Sequence, residues 1–300
     1  MAYQLIVHAD DFGLTKGTTD AILKGCDAGS LLSVSILSNG LAFDYAIQEI
    51  KKRPNVTLAV HLNFLDGFPV AEAGAVDQLV DKEGKFNCSF LGLWAKYNRS
   101  SPADKKILEQ QIRAEVKAQI NKVAKAMGGA YPIHIDSHNH FHLLPFIFPI
   151  LIEHARELNI VYIRVPQEKF FWHWPGWGWV GKYLGDNVIK HYLLNHLSRG
   201  WKGKLKQLSI RYPEYFIGVL FTGTMSEAVV RQAVGALNHD VEGKGTVEIL
   251  FHPGRAKVEE LRDWPSSDSY KEYYCSAERE RELNELLKPS FRDFIERSSR

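Results

Sequence analysis

"QLIVHADDFGLTKGTTDAILKGCDAG", residues 4–29, decides the fold. An apolar run from Gln4 to Ala9 reads as a buried strand. It is closed by the acids Asp10 and Asp11, and a helical pattern from Thr19 then stops at Gly29. The same unit recurs down the chain. "LSVSILSNG" (32–40) is a second strand, followed by a short helix in "AFDYAIQEIKKRP" (42–54). "VTLAVHLNF" (56–64) is a third, and a Gly-rich excursion from Asp66 to Phe90 separates it from a strong helix over 105–127.

Further strands are expected in "PIHIDSH" (132–138), "IVYIRVP" (160–166) and "TVEILFHPG" (246–254). Helices are expected in 146–159 and 226–237, with one charged helix at the C-terminus, while 215–223 reads as mixed. Strand and helix alternating about six or seven times predict parallel strands joined by crossover helices. No break in composition, low-complexity tract or internal repeat divides the 300 residues, so one α/β domain spanning 1–300 is expected. The glycine fingerprint of the dinucleotide-binding open sheets is missing, which favours a distorted TIM-like (β/α) barrel over an open sheet.

Hydrophobic residues at 45% and charged residues at 24% supply an ordinary globular core. The formal charge is +2, and the cations between Lys105 and Lys125 are interleaved with Glu109 and Glu115. Nothing in that balance favours nucleic acid as a partner. Cys26, Cys88 and Cys275 are odd in number and far apart, so neither a metal spacing nor a disulfide framework is expected and a reducing cytoplasm is. The N-terminal run has no basic region or cleavage signature and reads as a strand, and no stretch reaches the length of a membrane span. Oligomeric state is open, a homo-oligomer included.

The chemistry lies in where the polar residues fall. Asp10 and Asp11 follow the first strand, His61 ends the third, His138 ends "PIHIDS" and His252 ends "VEILF". Parallel α/β folds gather the carboxyl ends of their strands at one face, so topology brings these residues together. Two imidazoles and one carboxylate suit a divalent metal with positions left open. Each also has a plainer reading. Asp11 is placed to cap the helix near Lys16, His61 to be a satisfied structural histidine, and His252 to close a tight turn.

The segment "HIDSHNHFH" (134–142), with four histidines in nine residues, is harder to explain as structure alone. Its period aims His134, Asp136 and His138 to one side, and His140 and His142 are candidates for orienting ligands. Arg164 is a candidate either for holding substrate or for pairing with an active-site carboxylate. The tract 168–185, with Trp172 and Trp174 among its tryptophans, is suited to stacking on sugar faces, to a peripheral membrane contact, or to a small core of its own.

"HADDFGLTKGTTDAI", "AVHLNF", "LVDKEGKFN", "HIDSHNHFHLLP" and "LFHPG" together resemble the YdjC-like carbohydrate deacetylases, which include the chitooligosaccharide deacetylase. The resemblance covers most of the chain and weakens between Trp172 and Arg211. It implies a TIM-like barrel with one divalent metal, Mg2+ or Zn2+, held by Asp11, His61 and His138. It further implies Asp10 as general base and His252 as general acid. Beside the resemblance, His140, Arg164, Trp172 and Trp174 are the candidates for the substrate side. The expected reaction is hydrolysis of the acetyl group from an N-acetylated amino sugar, free or lipid-linked. Two alternatives remain: an amidohydrolase-type barrel acting on a cyclic amide or ester, and a non-catalytic sugar-binding protein. The first normally carries an early His-x-His pair where this chain has Asp-Asp. The intact polar set argues against the second.

Overall fold

Six apolar runs become strands where they were expected, β1 (Ala2–Phe12), β2 (Ser33–Ile36), β3 (Thr57–Leu62), β4 (Ile133–Ser137), β5 (Ile160–Ile163) and β7 (Lys244–Phe251), while the segment 215–223, read as mixed, supplies β6 (Tyr215–Ile217). The structure is a computed structural model, and it describes residues 2–173, 185–237 and 244–298. The described helices are α1 (Lys16–Asp27), α2 (Phe43–Ile50), α3 (Phe90–Arg99), α4 (Pro102–Ala126), α5 (Phe148–Glu153), α6 (Asp186–Ser198), α7 (Trp201–Gln207), α8 (Glu227–Leu237), α9 (Asp268–Tyr274), α10 (Ala277–Leu286) and α11 (Pro289–Ser298). Every strand pair is parallel, in the order β5-β4-β3-β2-β1-β7-β6. Each parallel step needs a crossover, and the helices supply it.

Period two divides the residues of each strand. On β1, Leu5, Val7 and Ala9 are at most 1% exposed and belong to the main hydrophobic core, while His8 and Asp10 fall on the other face. The same division puts Ser35, His61, Asp136 and Glu248 on that inner face. Side chains bridge the concavity. The Tyr162 hydroxyl of β5 donates to Glu248 of β7 at 2.5 Å, although four strands separate them in the sheet. The sheet is therefore curled around a polar interior. At its N-terminal end this interior opens into a cavity of about 650 Å³ lined by Gln4, His8, Thr57, His134 and Glu248 among others.

Curling stops short of the expected closed barrel. The seven-stranded ladder is open between β5 and β6. An isolated bridge between Tyr162 and Arg211, and one bond from the Phe216 N–H to the Gln167 carbonyl at 3.2 Å, reach across. The two edge strands are staggered: Tyr162 of β5 faces Arg211, ahead of β6, and Phe216 of β6 faces Gln167, beyond the end of β5, so neither runs alongside the other.

Two further readings need correction. The cap of α1 is Thr15, whose hydroxyl accepts from the Thr18 N–H, so Asp11 is free of that duty. The single C-terminal helix is three helices, α9 to α11. Gly29 does stop α1, at φ +78°, as the sequence predicts.

Candidate active site

Consecutive residues of a strand point to opposite faces, so Asp10 and Asp11 cannot both face inward on a regular strand. β1 resolves this with a bulge. Ala9 pairs with Val34 but Phe12 pairs with Ile36, and Asp11 takes φ +65°. Asn139 and His140, just after β4, also lie at positive φ, 50° and 58°. Non-glycine residues held there cost on the order of 1 kcal/mol or more, and such strain concentrates at functional sites.

The strand ends bring Asp11, His61 and His138 together, with one ligand atom from each lying within 4.8 Å of the others. Asp11 Oδ1 is 3.7 Å from His61 Nε2 and 3.2 Å from His138 Nδ1. The hydrogen bonds behind the rings fix what faces inward. His61 Nδ1 is 2.6 Å from Asp136 Oδ1, and a carboxylate only accepts, so Nδ1 carries the proton. The lone pair of Nε2 then points at Asp11, and this buried nitrogen has no hydrogen-bond partner. Tyr274 donates to Asp66 at 2.9 Å, which leaves its oxygen to accept from His138 Nε2 at 3.3 Å. On the inner side His138 Nδ1 lies within hydrogen-bond distance of the Asp11 carboxylate, 3.2 Å from Oδ1.

One carboxylate oxygen and two ring nitrogens thus converge on one point, which either a shared proton or a cation can occupy. The donor set fits a divalent ion of imidazole-and-carboxylate preference. The far oxygen of Asp11 is held by Arg279 Nη1 at 2.8 Å. Thus each of the three residues has an outer partner.

Asp10 lies beside this trio. Its Oδ2 is 3.9 Å from His61 Nε2 and 3.8 Å from His252 Nε2. Burial works to raise its carboxyl, but Arg164, His61 and His8 outweigh that and hold it well below the usual carboxylate range. Asp11 is held low in the same way, burial being overcome by Arg279 and His138. For His61 the lowering effect of burial is overcome by Asp10 and Asp136, so its pKa is raised. The site attracts positive charge. His252 is the opposite case. Burial dominates and takes it down to about 3, so it rests neutral.

A second acidic group, His8, Asp10 and Asp136, also lies within 4.8 Å. Its cation is already present: Arg164 Nη2 is 2.9 Å from Asp10 Oδ1 and 2.8 Å from Asp136 Oδ2, and Nε is 2.6 Å from Glu248. Arg164 is completely buried, so of the two roles the sequence left open it fills the pairing one, with no face toward substrate. His8 Nε2 adds a second positive charge, 3.3 Å from Asp10 and 3.2 Å from Asp136. Burial and Arg164 lower its pKa, but Asp10, Asp136 and Glu248 prevail and raise it from 6.5 to about 9.

That shift predicts a pH dependence. A cation whose folded pKa is raised contributes its stabilisation in full below pH 6.5 and loses it as pH climbs through 9. Denaturant midpoints should fall between these limits, by about 3 kcal/mol in unfolding free energy. His8→Gln should flatten the slope. An identical slope in that variant assigns the effect elsewhere.

The remaining expected residues are placed as follows. His142 is a brace: Nδ1 meets Ser137 Oγ at 2.6 Å and Nε2 donates to the Arg164 carbonyl at 2.9 Å. His140 is buried against Phe216, with Nδ1 lacking a partner. Trp172 is 63% exposed, its ring against Phe170. Trp174 lies outside the described residues. Sequence reasoning passed over Arg279, Tyr274 and Asp66. It also passed over His8 and Glu248, although a charged or polar residue inside an apolar run ("LIVHA", "TVEILF") was a visible signal.

The family model for YdjC-like protein matches residues 4–297. The chain belongs to the YdjC-like family. The resemblance drawn from the strand-end motifs is thereby borne out. Among YdjC-like relatives, the carbohydrate deacetylase of Mus musculus is 27% identical over 296 residues, covering 97% of this chain and 90% of the relative. That of Homo sapiens is 28% identical over 295 residues, covering 96% and 86%. The chitooligosaccharide deacetylase of Escherichia fergusonii is 33% identical over 167 residues, covering 56% and 61%. A solved structure from Enterococcus faecalis, described as a candidate cellobiose-phosphate cleavage protein, superposes with a TM-score of 0.70 at 21% identity over 100% of this chain and 96% of that one. The two chains share a fold. No described helix is long and apolar enough to cross a membrane.

Proposed function

We propose that this protein hydrolyses the acetamide of an N-acetylated amino sugar, with Asp11, His61 and His138 holding a divalent cation. The observation that carries the reading is the convergence of one carboxylate and two imidazoles beside Asp10 and His252. Membership of the family, and relatives named for carbohydrate deacetylation, support the substrate class. The cation, when bound, supplies Lewis acidity to the amide carbonyl and acidifies water. Two nitrogen donors favour zinc over magnesium.

Asp10, kept ionised by Arg164, accepts a proton from the attacking water as the C–O bond forms. His252 rests neutral 3.8 Å from Asp10 Oδ2, placed to receive that proton and deliver it to the nitrogen as the C–N bond breaks. The second proton of the water stays on the new hydroxyl and passes to the departing amine, so acetate and an ammonium group are the products. Residues 1–300 act here as one domain, and the free cysteines suit a reducing, cytoplasmic setting.

The test combines metal analysis with acetate release over a panel of N-acetyl sugars. We expect one divalent ion per chain, activity lost on chelation, and activity restored by Zn2+. Acetate release that persists after the ion is stripped rejects the metal. Metal-loaded protein that opens a cyclic amide and leaves acetyl sugars intact rejects the substrate class.

A further inference from the structure

The ladder between β1 and β7 runs in register from Ala2 opposite Lys244 to Ala9 opposite Phe251, and there it stops. Asp10 and His252 are the next residue on either side, so no ladder bond fixes the 3.8 Å between Asp10 Oδ2 and His252 Nε2. Nor does the His252 ring hold itself in place. Its Nδ1 is buried without a hydrogen-bond partner among the described residues, and the ring only packs edge-on against Tyr273, with centroids 6.0 Å apart. The position of this imidazole is therefore set through its backbone.

α10 grips that backbone. Glu282, 1% exposed, accepts from the His252 N–H at 2.6 Å through Oε2 and from the Met225 N–H at 3.2 Å through Oε1. A carboxylate makes stronger bonds to N–H groups than a neutral acceptor does, and its two oxygens tie two segments together. One turn earlier on the helix, Arg279 Nε donates to the Gly254 carbonyl at 2.9 Å, and the Arg279 carbonyl accepts from the Gly254 N–H at 3.1 Å. The same guanidinium holds Asp11. A single helical turn thus grasps both the segment that carries His252 and the carboxylate beside Asp10. We propose that Glu282 is a positioning residue of the reaction: by holding the His252 backbone it sets the imidazole beside Asp10 for proton delivery to the leaving nitrogen. This rests on the reading of His252 as the acid, and adds a residue outside the strand-end motifs.

The test compares a leaving group that needs a proton with one that does not. An amide nitrogen must be protonated to depart, whereas an aryloxide leaves as the anion. Glu282→Gln turns an amide nitrogen toward one of the two N–H groups, and misplacement by about 1 Å costs up to roughly a hundredfold in rate. We expect the ratio of kcat for an N-acetyl sugar to kcat for an aryl acetate to fall roughly ten- to hundredfold in that variant, at constant metal content. KM for the sugar should hold, and Glu282→Asp should fall between the two. His252→Gln is the reference and should lower the ratio at least as far. In the wild type the His252 amide proton should resonate downfield of the main amide envelope, a measurement that needs no variant to fold. A ratio that Glu282→Gln leaves intact, with both activities lost equally or neither, overturns the proposal. An ordinary His252 amide shift does the same. A ratio unchanged in His252→Gln removes the reading of His252 as the acid, and this role with it. The two variants side by side tell those failures apart.

Discussion

Asp10→Asn should lower kcat for acetate release by roughly a hundred- to ten-thousand-fold while one metal ion per chain is retained. The substitution keeps the size of the side chain and leaves the Asp11, His61 and His138 trio untouched. What it removes is the proton acceptor beside that trio, 3.8 Å from His252 and 3.9 Å from His61. KM should move little, because the group acts on the water and not on the sugar. Metal content by mass spectrometry and kcat by acetate assay separate this from loss of the ion. A variant that turns over at the wild-type rate dismisses Asp10 as the base.

Arg164→Met should be the most destabilising single change in the interior, by about 3–5 kcal/mol. The guanidinium has no exposed surface and serves Asp10, Asp136 and Glu248 together. Three buried carboxylates face two cations, Arg164 and His8, and removing one widens the excess of negative charge in the interior. Removing both sides of a pair costs less than removing one, because the uncompensated charge is what is expensive. Arg164→Met/Glu248→Gln should therefore recover part of the loss in denaturant midpoint. An additive double variant means that the two side chains do not interact.

Both effects concern residues that the sequence made visible to different degrees. Asp10, Asp11, His61, His138 and His252 were legible because each ends an apolar run, and the carboxyl ends of parallel strands share a face. Arg164 was visible as a residue but its role was not, since nothing local distinguishes a cation facing substrate from one facing carboxylates. Asp136 sat in register with His134 and His138, and only the pairing of β3 with β4 showed that it steadies His61. Arg279 gave no signal at all. It lies in a charged helix of ordinary appearance and reaches Asp11 across 268 residues of sequence.

The amino-acid order alone determined six of the seven strands, most of the crossover helices and the rim on which the polar residues gather, because alternation and capping are local properties of the chain. Tertiary structure decided the rest. A bulge turned both Asp10 and Asp11 inward, the stagger of the edge strands left the sheet open, and partners from remote segments fixed how the buried side chains of the site are oriented. Those outcomes depend on hydrogen bonds between distant parts of the chain, and such bonds leave no periodic trace in either participant.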